Sequence, residues 1–165
     1  MGLRPTYKLA DIRAKLEADA KRIEKAILFR LEYLGEECVT LARSLDTYQD
    51  QTGILRNSVG YVIARDGRVI KNNFRKSANV VSSTKAGKSK TTKGSADGVK
   101  MGEALALEIL LGVKRGFVLI VVAGANYASH VETMGYDVIS SAEQFAKKEM
   151  PLMKAKLKMQ VQSMK

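Results

Sequence analysis

Few residues in this chain could do chemistry, and their spacing does not favour it. Gly87-Lys88-Ser89 matches the end of a phosphate-binding loop, where backbone amides and a lysine cradle phosphates. That loop needs a glycine five residues before the Gly-Lys pair, and Ser82 stands there. No strand leads directly into the segment and no helix follows at once, so no nucleotide site is expected. His130 is the only histidine. A hydrolytic triad would need a paired nucleophile and a metal site would need further ligands. Glu132, two residues on, is poorly spaced for a shared helix face, and His130 reads as a packed or surface side chain. Cys38 is the only cysteine, so it can form neither an internal disulfide nor a zinc site by itself. It falls on an apolar stripe and reads as a small buried hydrophobe. Glu103 and Glu108 lie five apart, and Glu132 and Asp137 straddle Gly135. Neither pair makes an acid/base couple. The expectation is a protein that is not an enzyme and holds no cofactor or metal.

The elements that position these residues suggest an α+β fold in a single domain, residues 1–165. From residue 8 to about 46, apolar residues recur in steps of three and four: Leu9, Ile12, Leu16, Ala20, Ile23, Ile27, Leu31, Leu34, Cys38, Leu41 and Leu45. That spacing predicts one amphipathic helix, with Gly35 as a point of bending or weakness. Such a helix would be about 55 Å long, too long to bury its whole stripe on so small a domain. Part of it is expected to pack on another subunit. The sheet region spans 54–139. Ser58–Ala64 and Val69–Phe74 read as strands joined at Asp66-Gly67, a pair suited to a tight hairpin turn. Residues 75–100 lack an apolar pattern and read as a flexible loop. A helix is expected over Gly102–Val113. The continuous run Phe117–Ala123 predicts a buried central strand, within an antiparallel sheet of about four strands. Ser140 and Glu143 fit a capping box opening a C-terminal helix over 140–164. Pro151 predicts a kink or restart inside it.

No apolar run is long enough to span a bilayer, and Met1–Lys8 do not read as a signal peptide. The lone cysteine is compatible with a reducing cytoplasm. The formal net charge is +11, which points to an acidic partner such as nucleic acid or an acidic protein surface. Its distribution is uneven. Residues 1–50 carry nine basic and nine acidic groups, whereas residues 65–100 hold ten basic groups against Asp66 and Asp97. Arg65, Arg68, Lys71, Arg75, Lys76, Lys85, Lys88, Lys90 and Lys93 are therefore the candidate contacts to DNA or to an acidic neighbour. A solvated, lysine-rich loop kept soluble by its charge is the plainer alternative.

Two stretches carry a resemblance. Asp50-Gln51-Thr52-Gly53-Ile54-Leu55-Arg56-Asn57-Ser58 resembles the acidic, Thr-Gly-x-Leu-Arg-x-Ser lead-in to the first strand of a family of phage neck proteins. Tyr127-Ala128-Ser129-His130-Val131-Glu132 resembles that family's Tyr-Ala-x-x-Val-Glu segment. The family is the head–tail joining, or tail-completion, group of tailed phages, related to lambda protein Z. This chain continues into Thr133-Met134-Gly135-Tyr136, where the family commonly has Phe-Gly-Thr. The motif residues invite structural roles. Gly53 would turn the chain into the strand, Leu55 would anchor its start, and Arg56 would bridge carboxylates. Tyr127 and Val131 would pack one side of a short helix on the sheet.

The resemblance implies a structural virion protein of the neck, assembled in the bacterial host cytoplasm. It implies a homo-oligomeric ring, a hexamer or dodecamer, joining head to tail around the DNA channel. Its neighbours would be connector or portal-side proteins and tail proteins, with double-stranded DNA in the channel and no membrane partner. The alternative reading is a stand-alone basic nucleic-acid-binding protein. That reading explains the charge but not the long neutral helix.

Overall fold

The computed structural model describes residues 8–45, 52–76, 80–83, 89–92 and 96–163. Five helices and five strands occur among them. In chain order they are α1 (Leu9–Ser44), α2 (Ile54–Ser58), β1 (Val59–Arg65), β2 (Arg68–Asn72), β3 (Val80–Ser83), β4 (Ser89–Thr92), α3 (Ala96–Leu110), β5 (Phe117–Ala123), α4 (Ala128–Thr133) and α5 (Ser140–Gln162). The class is α+β, with a long first helix, an antiparallel sheet and a C-terminal helix.

The main sheet has three strands in the order β2-β1-β5, all antiparallel. β1 is the centre. Its odd residues Val59, Tyr61 and Ile63 face α1 and α5, with Leu34, Cys38, Val39, Ala42, Ala142 and Met153. Its even residues Val62 and Ala64 face α3, with Phe74, Ala106, Leu110, Ile120 and Val122. Period-two alternation thus serves two covered faces, and six of the seven β1 residues are buried. The turn after β1 places Asp66 (φ 51) and Gly67 (φ 77) in the left-handed region, as a two-residue hairpin with this twist requires. One register shift, between Ile63 and Ala64, interrupts the β1–β2 ladder.

Four expectations need correction. The sheet has three strands, not about four; the other two, β3 and β4, pair only with each other. That ladder and the first turn of α3 lie inside residues 75–100, expected as a patternless loop. Cross-strand pairing of Val80 with Thr92 through Ser83 with Ser89 needs no apolar periodicity. Phe117–Ala123 forms an edge strand rather than a central one. Its run is apolar because helices cover both faces: Val118, Ile120 and Val122 turn to α3, and Leu119, Val121 and Ala123 to α1 and α5. Finally, Gly35 is buried inside α1, where a Cβ would stand 2.8 Å from the Tyr61 ring. It permits close approach of helix and sheet rather than marking a break.

The Tyr61 hydroxyl, pushed up to about 12 by burial and by the nearby Glu36 carboxylate, donates to Glu36 Oε1 at 3.1 Å. The same oxygen accepts from Asn73 Nδ2 at 2.6 Å. This joint ties α1 to β1 and to the end of the hairpin. Pro151 lies within α5, which continues through it as one helix.

Candidate subunit interface and charged surfaces

The two stretches that carry the resemblance meet in space. Gly53 adopts φ 70 and opens α2, which delivers Leu55 into a cluster with Ala125, Ala128 and Val138, flanked by Val131. The Thr52 hydroxyl accepts the Ile54 N–H at 3.4 Å. The Ser58 hydroxyl donates to the Leu55 carbonyl at 2.8 Å and accepts the Ala125 N–H at 3.0 Å. Arg56 donates to the Leu45 carbonyl at 3.4 Å, at the end of α1. Ala128 and Val131 are the residues that seat α4, whereas Tyr127 precedes the helix and is 40% exposed. His130 is exposed on α4.

Glu132 has a role that the sequence spacing did not disclose. Its Oε1 accepts the Ile139 N–H (3.1 Å), the Ser140 N–H (2.9 Å) and the Ser140 hydroxyl (2.8 Å). Asp137 accepts the Ser141 N–H at 3.2 Å and the Ser141 hydroxyl. The capping box expected from Ser140 and Glu143 is not formed. The residue before α5 is Ile139, without a side-chain cap, and Glu143 instead pairs with Lys147 at 2.6 Å. Orphan amides of a first helical turn must find acceptors. Here two carboxylates from the preceding segment supply them, at the positive end of the helix dipole. Burial alone would raise the Glu132 carboxyl, but the hydrogen bonds from Ile139 and Ser140 outweigh it and the net direction is down.

Cys38 lies in the core, where burial, with a lesser contribution from Glu37, raises its thiol to about 11. Its Sγ donates to the Ala142 carbonyl at 3.6 Å, pinning α5 to α1. Among the described residues no group of three His, Cys, Asp or Glu side chains could hold a metal. No described helix is long and apolar enough to cross a membrane.

Two apolar surfaces are left without a partner among the described residues. The first is the outer half of α1. Leu9 is 73% exposed, Ile12 39% and Leu16 64%, while the same stripe is buried at Leu34 and Cys38. The helix runs past the edge of the sheet and of α5. The second is a groove of about 730 Å³ between α1, the open edge of β5 and α5, floored by residues such as Leu31, Leu119, Val121, Met150 and Leu157.

The charged residues divide into neutralised and free groups. Arg65 pairs with Glu24 at 2.6 Å and Asp66 at 3.4 Å, and its guanidinium lies 5.1 Å from the Phe117 ring centroid. Lys71 pairs with Glu32 at 2.8 Å, and Arg75 approaches Glu36 at 3.8 Å. The acids of the neutral helix thus hold three of the five candidate cations whose side chains are described. Arg68 and Lys76 are exposed and make no ion pair among the described residues. Lys90 lies on β4; Lys85, Lys88 and Lys93 lie outside the described residues. On α5, Lys148, Lys154, Lys156 and Lys158 are exposed and unpaired among the described residues. Because the α1–hairpin pairs are half-exposed, Arg65→Gln and Lys71→Gln should each cost no more than about 1 kcal/mol in urea unfolding.

Comparison of the chain with protein-family models, with curated proteins and with solved structures gave no match.

Proposed function

We infer that the protein is a structural, non-enzymatic component of a tailed-phage neck that assembles into a homo-oligomeric ring between head and tail, around the DNA channel. The observation that carries this reading is the outer half of α1. A helix that leaves Leu9, Ile12 and Leu16 in water loses the burial that stabilises amphipathic helices, and a second protein surface would restore it. The meeting of the two neck-like stretches around Leu55, Ala128 and Val131 supports the same reading. Both serve packing, and neither presents a reactive group. The unpaired lysines of α5 suit a sequence-independent contact with DNA phosphates in the channel or with an acidic neighbouring ring.

Light scattering on the full chain tests this. A stable oligomer of defined size, ring-shaped by electron microscopy, is expected. Leu9→Asp with Leu16→Asp should yield monomers whose unfolding free energy stays within about 0.5 kcal/mol of the parent, since both side chains are exposed. A wild-type monomer that binds DNA with a steep salt dependence would instead favour a stand-alone nucleic-acid-binding protein. In either case, replacing Lys148, Lys154, Lys156 and Lys158 with Ser should weaken DNA binding and flatten its salt slope more than replacing Arg65 and Lys71.

A further inference from the structure

α5 packs mainly on α1 rather than down on the sheet, and the groove of about 730 Å³ is the space this leaves above β5. Its walls are apolar: Leu31 from α1, Phe117, Leu119 and Val121 from β5, and Met150 and Leu157 from α5. It follows α5 from Ala142 to Leu157, a rise of about 22 Å. The outer half of α1 has the matching form. Leu9, Ile12 and Leu16 stand exposed on one helix face, at the i, i+3, i+7 spacing by which a helix anchors in an apolar groove. With Ala20 the stripe extends over a rise of about 17 Å. Laid in the groove, it would be a third helix on that side of the sheet.

The molecule's own outer half cannot be the occupant. α1 is a single helix from Leu9 to Ser44, and its inner half, from Ile27 on, already forms one wall. The outer half continues along the same axis and leaves the groove behind. The charges favour a second copy. Three charged side chains line the groove. Arg30 is held by Gln160 at 2.7 Å and Glu143 by Lys147 at 2.6 Å. Lys154 is exposed and makes no ion pair among the described residues. Glu17, beside Leu16, is likewise exposed and makes none among them. The apolar stripe thus carries the carboxylate that the rim of the groove lacks.

We propose that the outer half of α1 of one copy lies in the groove of the next, with Leu9, Ile12 and Leu16 inserted and Glu17 paired with Lys154. That pair sets the direction. Lys154 stands near the Leu157 end of the groove, so Leu9 fills the remainder toward Ala142 when the incoming helix runs parallel to α5. The incoming helix is then antiparallel to the α1 that walls the groove. Donor and acceptor are different surfaces of one chain. The contact is therefore head-to-tail and closes into a ring when the rotation allows. This rests on the self-assembly reading above, and it names the surfaces.

The test uses the full chain with cysteines at Leu16 and Leu157. Within one molecule they are out of reach of a short thiol cross-linker, because α1 rises about 17 Å from Leu16 to Ile27, where it first lines the groove. Leu16→Cys/Leu157→Cys protein should therefore cross-link into a ladder of multimers. Either single variant should stay uncross-linked, since Cys38 is buried. Leu9→Cys/Leu157→Cys should react far less, because Leu9 lies about 10 Å further along the groove. Glu17→Lys and Lys154→Glu should each raise severalfold the concentration at which the oligomer dissociates, and the two together should restore it. Dimers from Leu16→Cys alone would overturn the proposal, since two outer halves would then be paired with each other. An oligomer that yields no ladder, or a charge-reversed double variant as weak as its parents, would also overturn it. Each of these results leaves the ring reading standing. A wild-type monomer would end both.

Discussion

Gly124→Ala is expected to destabilise the protein by about 3 kcal/mol, near the upper end of what overpacking costs. Gly124 follows β5 where α3 crosses the sheet. A Cβ there would stand 2.4 Å from the Gly102 Cα, 2.5 Å from the Met101 carbonyl oxygen and 2.6 Å from the Gly102 nitrogen. All three are backbone atoms, so no rotamer change relieves the overlap. The helix would have to lift from the strand. Ala106, Ile120, Val122 and Phe74 pack behind this contact and would be loosened together. Gly102→Ala should behave similarly, since its Cβ would meet the Ser58 carbonyl oxygen at 2.4 Å. Gly116→Ala is the control. Its φ of 81 is unfavourable for alanine, but nothing lies within 4 Å of the added carbon, so the cost is the backbone penalty of about 1 kcal/mol. Urea unfolding of the three variants decides. Equal losses at Gly124 and Gly116 would mean that α3 does not approach β5 as described.

Glu132→Ala should cost about 2 kcal/mol, the scale of hydrogen bonds to a charged acceptor whose donors are then left unsatisfied. Two backbone amides and a hydroxyl at the start of α5 converge on one carboxylate oxygen. Their loss frees the entry to the helix that walls the groove. Glu132→Gln keeps an acceptor but removes the charge, and its loss should be smaller. The pH dependence follows from the direction of the shift. The folded-state pKa is lowered, so Glu132 contributes its full stabilisation above the unfolded carboxyl range. That contribution disappears as the pH falls through the folded value. Wild-type protein should thus lose stability on acidification, and Glu132→Gln should show a shallower acid limb. If the two acid limbs superimpose, the carboxylate does not hold α5. The same variant bears on assembly, because α5 carries Met150 and Leu157 into the groove. Any loss of oligomer should follow the loss of α5 docking.

The legible features were those with a local period or a local turn. The three-and-four spacing from Leu9 to Leu45 gave α1, because a helix face repeats within its own chain. Asp66-Gly67 announced the hairpin, because positive φ is a property of those residues. The covered faces of Phe117–Ala123 were also visible as unbroken apolarity, but its place at the edge was not. Apolarity reports what lies above and below a strand, not what pairs beside it. The capping box at Ser140 failed for a related reason. Ser140 and Glu143 had the right spacing, but Glu132 and Asp137 were folded against the same amides through the turn at Gly135. Gly35 looked like a weakness because Tyr61, the neighbour that needs its missing side chain, is distant in sequence.

Charge shows the division most clearly. By itself the sequence determined that the first fifty residues are neutral, that the excess lies beyond them, and that no reactive constellation is spelled out. Only the tertiary structure decided which charges remain available. Glu24, Glu32 and Glu36 on α1 meet Arg65, Lys71 and Arg75 on and beside the hairpin, so acids that balance the first fifty residues in the formal count pair in space with cations of the sheet. Four lysines of α5 remain exposed and unpaired among the described residues, and an apolar stripe stays exposed on the outer half of α1. Composition fixes how much charge and apolar surface a chain must place. Where each is cancelled or left open depends on contacts between residues far apart in sequence, and those exist only once the chain has folded.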